Sequence, residues 1–259
     1  MTKDIKMTRI ASHRGGTLEF GDSTPAGFKA SAALPLEEVE FDVHPTADGA
    51  IMVHHDATLD RTTDRSGTIA LLSEAEVRAA TINYGAGGHP ISLGELCAIY
   101  RGSTVDFRCE IKPGADGRAY ADFVPRVVRE LAGKLAGNGM IGRTTFSSFL
   151  LENLDELAGV TDRPRLWLVS PAVLREVGRD GVIELARLHA VPEIGIHIDC
   201  ADGALKAAFE AAGLDFGCWA AHTADQIGKA LDLGVKVFTT DRPSLAIAIR
   251  KARSGEQAA

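Results

Sequence analysis

The stretch Thr104-Val-Asp-Phe-Arg-Cys-Glu-Ile-Lys112 decides the fold, together with the segment that follows it. It is a short β-rich run, and the pattern of residues 120–137 predicts a helix directly afterwards. The apolar residues of that segment recur at a spacing that gives a helix one buried face, namely Phe123, Val124, Val127, Val128, Leu131 and Leu135. The chain therefore contains a strand followed by an amphipathic helix as a unit.

The same unit repeats along the 259 residues. The predicted strands are 8–14, 39–44, 104–112, 141–147, 165–170, 193–199, 215–220 and 236–241. The predicted helices lie near 24–34, 120–137, 149–158, 180–190, 202–212, 223–233 and 244–252. Repeated β-then-α units imply parallel strands with right-handed crossovers, and eight of them close most simply as a (β/α)₈ TIM barrel. A doubly wound open sheet is the alternative, but no G-x-G-x-x-G follows the first strand.

One stretch after the second strand interrupts this alternation. Its pattern predicts, in order, an extra strand at 50–54, a short helix near 73–80, a Gly-rich loop at 84–89 and a helix near 92–101. We interpret residues 1–259 as a single TIM-barrel domain with a small inserted subdomain at about 56–103. Because barrel active sites lie at the carboxyl ends of the strands, the insertion is expected to shape a substrate pocket.

Composition argues against several classes of protein. Hydrophobic residues make up 45% and charged residues 24%, which is ordinary for a globular chain. The net charge of −7 argues against a nucleic-acid partner, and no apolar run approaches the ~18 residues of a membrane span. The four cysteines form no C-x-x-C pair and the start lacks the apolar core of a signal peptide, so we expect buried thiols in a cytoplasmic protein. The sequence does not indicate an oligomeric state.

Acidic residues at two neighbouring strand ends point to a metal. Glu40 and Asp42 are two residues apart on one strand, so their side chains share a face. If that face points into the barrel, the two buried carboxylates need a cation or a shared proton. Glu110 and Lys112 repeat the geometry on the next barrel strand. Three carboxylates at adjacent strand ends can hold a hard divalent cation, although a solvated, salt-bridged strand end is the alternative.

Histidines and an arginine lie at the same predicted edge. His13 and Arg14 end the first strand before Gly15-Gly16, where a guanidinium fork and a close backbone suit a phosphate. In the run His54-His55-Asp56 the two histidines face opposite ways, so at most one serves a given site. A histidine beside a carboxylate can act as a general acid or base near neutral pH. His222 ends the seventh strand and is expected on the rim. Taken singly, each motif also suits a structural or surface role.

Taken together, these motifs resemble the glycerophosphodiester phosphodiesterase family. The segment from Glu40 to Thr63 is the most specific part of the likeness. The likeness covers nearly the whole chain in the expected order, at Ile10-Ala-Ser-His13-Arg14-Gly15, Val39-Glu-Phe-Asp-Val43, Thr46-Ala-Asp48-Gly49, His55-Asp56, Leu59-Asp-Arg61-Thr62-Thr63, Ile91-Ser-Leu-Gly-Glu95-Leu96, Glu110-Ile-Lys112, Ser148-Phe149, Trp219 and Thr240-Asp241-Arg-Pro243.

The resemblance implies a barrel with an inserted subdomain that hydrolyses glycerophosphodiesters to an alcohol and sn-glycerol 3-phosphate. It implies one divalent cation, Mg²⁺ or Ca²⁺, as cofactor and a small-molecule substrate as partner. It also implies three sets of residues: the metal ligands Glu40, Asp42 and Glu110, the acid–base pair His13 and His55, and the phosphate-binding cations Arg14 and Lys112.

The chain departs from the family at two places. Gly21-Asp22-Ser23-Thr24 stands where the family usually has Pro-Glu-Asn-Thr, and Ala220-Ala221-His222 follows Trp219 where a small polar residue and Asn are common. Asp22, Trp219 and His222 are therefore expected at a rim that meets the alcohol. A related barrel phospholipase acting on lysophospholipid or sphingolipid headgroups is one alternative, but it would need a more apolar insertion. A non-catalytic ligand-binding barrel is another, against which both histidines and all three carboxylates argue.

Overall fold

A computed structural model describes residues 7–85, 87–133 and 139–255. Within them the strands are β1 (Arg9–His13), β2 (Glu38–Pro45), β3 (Ile51–Val53), β4 (Ile91–Ser92), β5 (Asp106–Ile111), β6 (Thr144–Ser148), β7 (Arg165–Val169), β8 (Glu193–His197), β9 (Asp215–Trp219) and β10 (Val237–Thr240). Strand β1 pairs in parallel with both β2 and β10. The parallel strands β1, β2 and β5 to β10 therefore form a closed barrel of eight, which confirms the predicted TIM barrel.

Helices connect the barrel strands. Those in the described part of the chain are α1 (Thr17–Phe20), α2 (Pro25–Ala32), α3 (Glu74–Arg78), α4 (Leu93–Ile99), α5 (Phe123–Ala132), α6 (Leu151–Val160), α7 (Pro171–Leu188), α8 (Gly203–Ala211), α9 (Ala224–Leu233) and α10 (Pro243–Arg253). Helix α9 begins with a capping box, in which the Thr223 hydroxyl and the Gln226 side chain each bond the other residue's backbone. Leu135, which the sequence assigns to the face of α5, lies outside the described residues.

Two predicted boundaries are wrong, and one short helix is missing from the prediction. Helix α7 begins at Pro171 and not near 180, because the Ser170 side chain caps it and proline suits a first helical turn. A kink at Gly178, whose φ is 68°, interrupts the helical periodicity, so the sequence pattern predicts only the second half of this helix. The segment predicted as a strand from 141 starts as a 3₁₀ turn at Met140–Arg143, and β6 begins only at Thr144. The short helix α1 was not predicted.

The segment after β2 adds two antiparallel strands beside the carboxyl end of β2. Val43 of β2 pairs with Val53 of β3, and β3 pairs with β4, which confirms the predicted extra strand. A small apolar cluster, separate from the main core, lies beneath this segment and comprises Met52, Leu59, Ile69, Val77 and Ala80. Helix α4, however, contacts α2 and α5 in the outer helical layer of the barrel. We therefore propose that the inserted subdomain ends near Ser92 and not near residue 103.

The interior of the barrel carries buried charges. Arg108 of β5 is 2% exposed and bonds the carboxylates of Glu38 and Glu193, the latter at 2.8 Å between Nη2 and Oε1. Lys236 also bonds Glu193. Burial alone would lower the pKa of Arg108, but Glu193 and Glu38 outweigh it and raise that pKa. We call the paired charges of Arg108, Glu38, Glu193 and Lys236 the polar floor. Its arginine lies two residues before Glu110 along β5.

None of the helices in the described ranges combines the length and the apolar character required to traverse a bilayer.

Candidate active site

Three carboxylates meet at the carboxyl ends of β2 and β5. The register of these strands pairs Asp42 with Glu110, and alternation along β2 places Glu40 on the same face as Asp42. Oxygen atoms from all three side chains lie within 4.8 Å of one another, and all three residues are buried. The structure thus brings together the three residues that the resemblance implies as metal ligands.

The donor set fits a hard divalent cation. Both carboxylate oxygens of Glu40 are buried and accept no hydrogen bond from any described residue. Burial raises the pKa of Glu40, and the charges of Asp42 and Glu110 raise it further. Leaving such oxygens without a donor is unfavourable, whereas Mg²⁺ and Ca²⁺ bind through carboxylate oxygens. Glu40, Asp42 and Glu110 are therefore the residues that could hold the ion.

Two cations flank the carboxylates. Arg14 Nε lies 3.2 Å from Asp42 Oδ2, while Lys112 Nζ lies 3.4 Å from Asp42 Oδ1 and 2.9 Å from Glu110 Oε1. Burial alone would lower the pKa of both cations, but the neighbouring carboxylates outweigh it and raise both values. Burial would likewise raise the pKa of Asp42, yet Lys112, His55 and Arg14 hold it below its ordinary range. Asp42 and both cations consequently stay charged at neutral pH.

The turn after β1 positions His13 and Arg14 together. Arg14 has a φ of 50°, and its backbone is fixed by bonds from Arg14 N to Glu40 O at 2.9 Å and from Ser23 N to Arg14 O at 3.0 Å. Gly15 follows with a φ of 81°, and a Cβ there would lie 2.9 Å from the backbone nitrogen of Phe28. Only glycine suits that position, so the glycine after the arginine is a requirement of the turn.

Each of the two predicted acid–base histidines has a carboxylate on its Nδ1 atom. His13 Nδ1 lies 2.5 Å from Asp241 Oδ1, and His55 Nδ1 lies 2.5 Å from Asp56 Oδ1. The Nε2 atom of His13 is 3.8 Å from Glu40 Oε2, and that of His55 is 3.2 Å from Lys112 Nζ. Both rings thus turn their second nitrogen towards the charged cluster.

Two further histidines, His44 and His54, lie near His55. Neither is among the described residues that line the cavity of the site. His54 is 3% exposed, and its Nε2 lies 3.3 Å from Thr62 Oγ1. His44, which the sequence motifs do not single out, contacts the carbonyl oxygen of His55 through Nε2 at 3.1 Å and Tyr120 Oη through Nδ1 at 3.0 Å. Burial lowers the pKa of His44 to about 4, so its neutral ring can donate to the His55 carbonyl. Strand alternation from Glu40 and Asp42 to His44 was the available signal.

The charged groups form one side of a cavity of about 210 Å³. Its charged and polar lining includes His13, Arg14, Glu40, His55, Glu110 and Lys112, and its apolar lining is Phe149, Leu166, Leu168, Trp219 and Ala220. The Trp219 ring makes edge-to-face contacts with Phe149 at 5.5 Å and with His197 at 4.6 Å between centroids. The cavity can therefore hold a ligand that has an anionic and a less polar half.

The three predicted rim residues lie in different surroundings. Trp219 and His222 line the cavity, and burial lowers the pKa of His222 to about 4. The Nδ1 atom of His222 accepts a bond from the backbone N–H of Asp241 at 3.0 Å, which leaves Nε2 as the donor. Asp22 is 5% exposed and is absent from the described cavity lining. Its carboxylate instead pairs with Arg14 and Arg61.

A closed barrel with a polar cavity at the carboxyl ends of its strands is the arrangement of a TIM-barrel enzyme. The sequence profile of the glycerophosphoryl diester phosphodiesterase family matches residues 13–245. The chain belongs to this family, which confirms the resemblance found in its motifs.

Solved structures agree with this placement. A protein of Agrobacterium tumefaciens assigned to the glycerophosphoryl diester phosphodiesterases is 65% identical, with a TM-score of 0.93 over 96% of this chain and 100% of that one. A phosphodiesterase of Oleispira antarctica, solved with the product sn-glycerol-3-phosphate, is 18% identical and shares the fold with a TM-score of 0.75 over 94% and 96% of the two chains.

A curated relative matches over a shorter stretch. The glycerophosphodiester phosphodiesterase of Caldanaerobacter subterraneus is 32% identical over 112 residues, which are 41% of this chain and 46% of that protein. The chain thus spans less than half of the first curated relatives that it matches, 36% of one and 46% of the other.

Proposed function

We propose that this protein hydrolyses glycerophosphodiesters to an alcohol and sn-glycerol 3-phosphate with the help of one divalent cation. One observation carries the proposal: two histidines that each have a carboxylate on Nδ1 line one cavity together with two largely buried cations and two members of a cluster of three carboxylates. General acid–base groups, a metal ligand set and a phosphate clamp are what phosphodiester hydrolysis requires. The Oleispira antarctica relative, which holds sn-glycerol-3-phosphate, supports the same product.

The charged half of the cavity would hold the phosphate. Glu40, Asp42 and Glu110 would bind the cation, which when present polarises a phosphoryl oxygen. Arg14 and Lys112 keep their positive charge, so they stabilise negative charge that develops on the phosphoryl oxygens. Their fixed contacts to Asp42 mean that little reorganisation accompanies the reaction.

The two histidines would move the protons. One Nε2 takes a proton from the nucleophile as its oxygen bonds to phosphorus, and the other gives a proton to the alcohol oxygen as its bond to phosphorus breaks. The nucleophile in this scheme is water or the neighbouring glycerol hydroxyl. The second route forms a cyclic phosphate as the alcohol leaves, and a water molecule then opens that ring to give sn-glycerol 3-phosphate. Asp241 and Asp56 hold the Nδ1 atoms, so proton exchange takes place at Nε2 on both rings.

The test is a substrate and metal panel. Purified protein is stripped with chelator and assayed on glycerophosphocholine, glycerophosphoethanolamine and glycerophosphoglycerol with Mg²⁺, Ca²⁺ or no added ion. We expect release of sn-glycerol 3-phosphate that requires an added ion. Lysophosphatidylcholine is the comparison substrate, and faster turnover of it would favour the phospholipase alternative. A folded protein that hydrolyses none of these substrates with either ion would contradict the proposal.

A cytoplasmic location belongs to the same proposal. All four cysteines are free thiols, and Cys97, Cys109 and Cys218 are buried in the main hydrophobic core. Proteins of reducing compartments usually keep their thiols unpaired, which supports this location.

A further inference from the structure

Arg61 in the inserted segment forms an ion pair with Asp56, the carboxylate that contacts the proposed acid–base residue His55. Its Nε lies 2.6 Å from Asp56 Oδ2 and its Nη2 lies 3.1 Å from Asp56 Oδ1, so the guanidinium engages both oxygens. The Oδ1 atom of the same carboxylate lies 2.5 Å from His55 Nδ1. Arg61 is therefore connected to the proposed acid–base residue His55 through Asp56. The sequence marks Arg61 within Leu59-Asp-Arg61-Thr62-Thr63 but gives it no role.

The two-point contact restricts the Asp56 carboxylate. A bidentate guanidinium–carboxylate pair fixes the plane of the carboxylate as well as its position. Burial alone would raise the pKa of Asp56, but its hydrogen bonds to Arg61 and His55 outweigh this and lower it. The carboxylate thus stays ionised and keeps one oxygen on Nδ1 of His55.

Arg61 also reaches a second carboxylate. Its Nη2 lies 3.5 Å from Asp22 Oδ2, and that same oxygen lies 3.2 Å from Arg14 Nη1. Arg61 is not among the described residues that line the cavity, and its side chain is 54% exposed. An isolated ion pair with this exposure would contribute little to stability. The contacts of Arg61 with Asp56 and Asp22 instead help to hold two site residues, His55 and Arg14, in position.

We propose that Arg61 is a positioning residue for the reaction, and this inference rests on the proposed function. By fixing Asp56 against Nδ1, Arg61 keeps Nε2 of His55 turned towards the cavity and ready to exchange a proton. Its longer contact with Asp22 connects the same guanidinium to the side chain that holds Arg14. The inserted segment thereby contributes to the geometry of the chemical step without touching the substrate.

The first test replaces Arg61 by Ala and by Lys. We expect Arg61→Ala to lower kcat by roughly 10–100-fold, a part of the acid–base contribution of one histidine, with a much smaller change in KM. Lysine cannot form the two-point contact, so Arg61→Lys should recover only part of the loss. Because the side chain is exposed, added guanidinium chloride in the low millimolar range should partly restore kcat of Arg61→Ala, whereas equal sodium chloride should not.

The second test is a double-mutant cycle with Asp56→Asn. If Arg61 acts through Asp56, adding Arg61→Ala to Asp56→Asn should lower kcat little further. Arg65→Ala, at an exposed arginine in the same segment, is the matched control and should leave kcat unchanged. Thermal melting checks folding, and Arg61→Lys carries the test if Arg61→Ala does not fold.

The outcomes separate this inference from the proposed function. A wild-type protein without activity on any glycerophosphodiester means that the proposed function has failed. An active wild type whose His55→Ala variant is impaired, but whose folded Arg61 variants keep full kcat, overturns the role of Arg61 alone. Fully additive losses in the cycle, or a failure of guanidinium to restore activity, would also overturn a role exerted through Asp56.

Discussion

His13 Nδ1 lies 2.5 Å from Oδ1 of Asp241, although 228 positions separate the two residues. Closure of the barrel creates this contact, because β1 and β10 are neighbours and Ser12 pairs with Thr240. The residues that follow this pair, His13 and Asp241, therefore emerge side by side at the carboxyl edge. Asp241 also donates its backbone N–H to His222, so this residue orients two rings of the cavity.

Asp241→Asn should impair the chemical step more than substrate binding. An amide at this position can donate a hydrogen bond to Nδ1 of His13, which would favour the tautomer with the proton on the other nitrogen. We expect kcat on the best glycerophosphodiester to fall by about 10²-fold or more, with a small change in KM. Steady-state kinetics measures both quantities. An unchanged kcat in a folded Asp241→Asn protein would show that this contact does not orient His13 for catalysis.

The two proposed acid–base histidines, His13 and His55, can be compared with His54, the neighbour of His55 in the sequence. His13→Ala and His55→Ala should each lower kcat by about 10²–10⁴-fold, because each removes a group that we propose exchanges protons with the substrate. His54→Ala should lower kcat far less, since its buried ring lies against Thr62 and is outside the described cavity lining. Rates are compared after circular dichroism has shown that the variants fold. An inactive His54→Ala variant together with an active His55→Ala variant would mean that His54, and not His55, is the acid–base residue.

The sequence could predict the parts of the site that follow from strand alternation. Glu40 and Asp42 share a face because they are two residues apart, and the strand of Glu110 lies next to theirs because barrel strands pair in order. The placement of Asp22 could not be predicted this way, since it depends on a turn with positive φ at Arg14 and Ser23. The motif containing Asp241 was visible, but its contact with His13 exists only once the barrel closes.

Glu40→Gln should weaken metal binding. The amide keeps the shape of the side chain but removes the negative charge that a hard cation requires. We expect calorimetric titration of the stripped protein with Mg²⁺ or Ca²⁺ to show a lower affinity, and activity to need more metal. Glu176→Gln, at an exposed site on α7, is the matched control and should bind metal as wild type does. Equal affinities in the two variants would remove Glu40 from the ligand set.

The cysteines should differ sharply in reactivity. Cys97, Cys109 and Cys218 are buried, and burial raises the pKa of Cys97 and of Cys218 to about 12. Cys200 is the partly exposed member of the four. A thiol reacts as its thiolate, so a chromogenic disulfide reagent near pH 8 should modify at most Cys200 in the native protein and all four thiols after denaturation. Rapid modification of several thiols in the native protein would contradict the packing of the core.

Arg108→Met should destabilise the fold through the carboxylates that it leaves behind. Arg108 bonds Glu38 and Glu193 inside the barrel, where all three residues are buried. Removing one partner of a buried ion pair typically costs about 3–5 kcal/mol, because the remaining charge loses its compensation. Chemical denaturation should therefore show a lower free energy of unfolding than in wild type. Wild-type stability in Arg108→Met would mean that the floor charges are compensated by other groups.

The same network predicts the direction of the acid response. Burial would raise the pKa of Glu193, but Arg108 and Lys236 outweigh it and hold that pKa below its ordinary value. The unfolded chain then binds a proton more readily than the native protein, so this contribution to stability is complete above about pH 5 and is lost as the pH falls through the folded-state pKa. Glu193→Gln cannot titrate at this position, so its unfolding free energy should fall less steeply than that of wild type between pH 5 and 3. Glu176→Gln is the control, because its exposed carboxylate should leave the wild-type slope unchanged. If Glu193→Gln and wild type lose stability in parallel, Glu193 does not contribute to the acid sensitivity of the barrel.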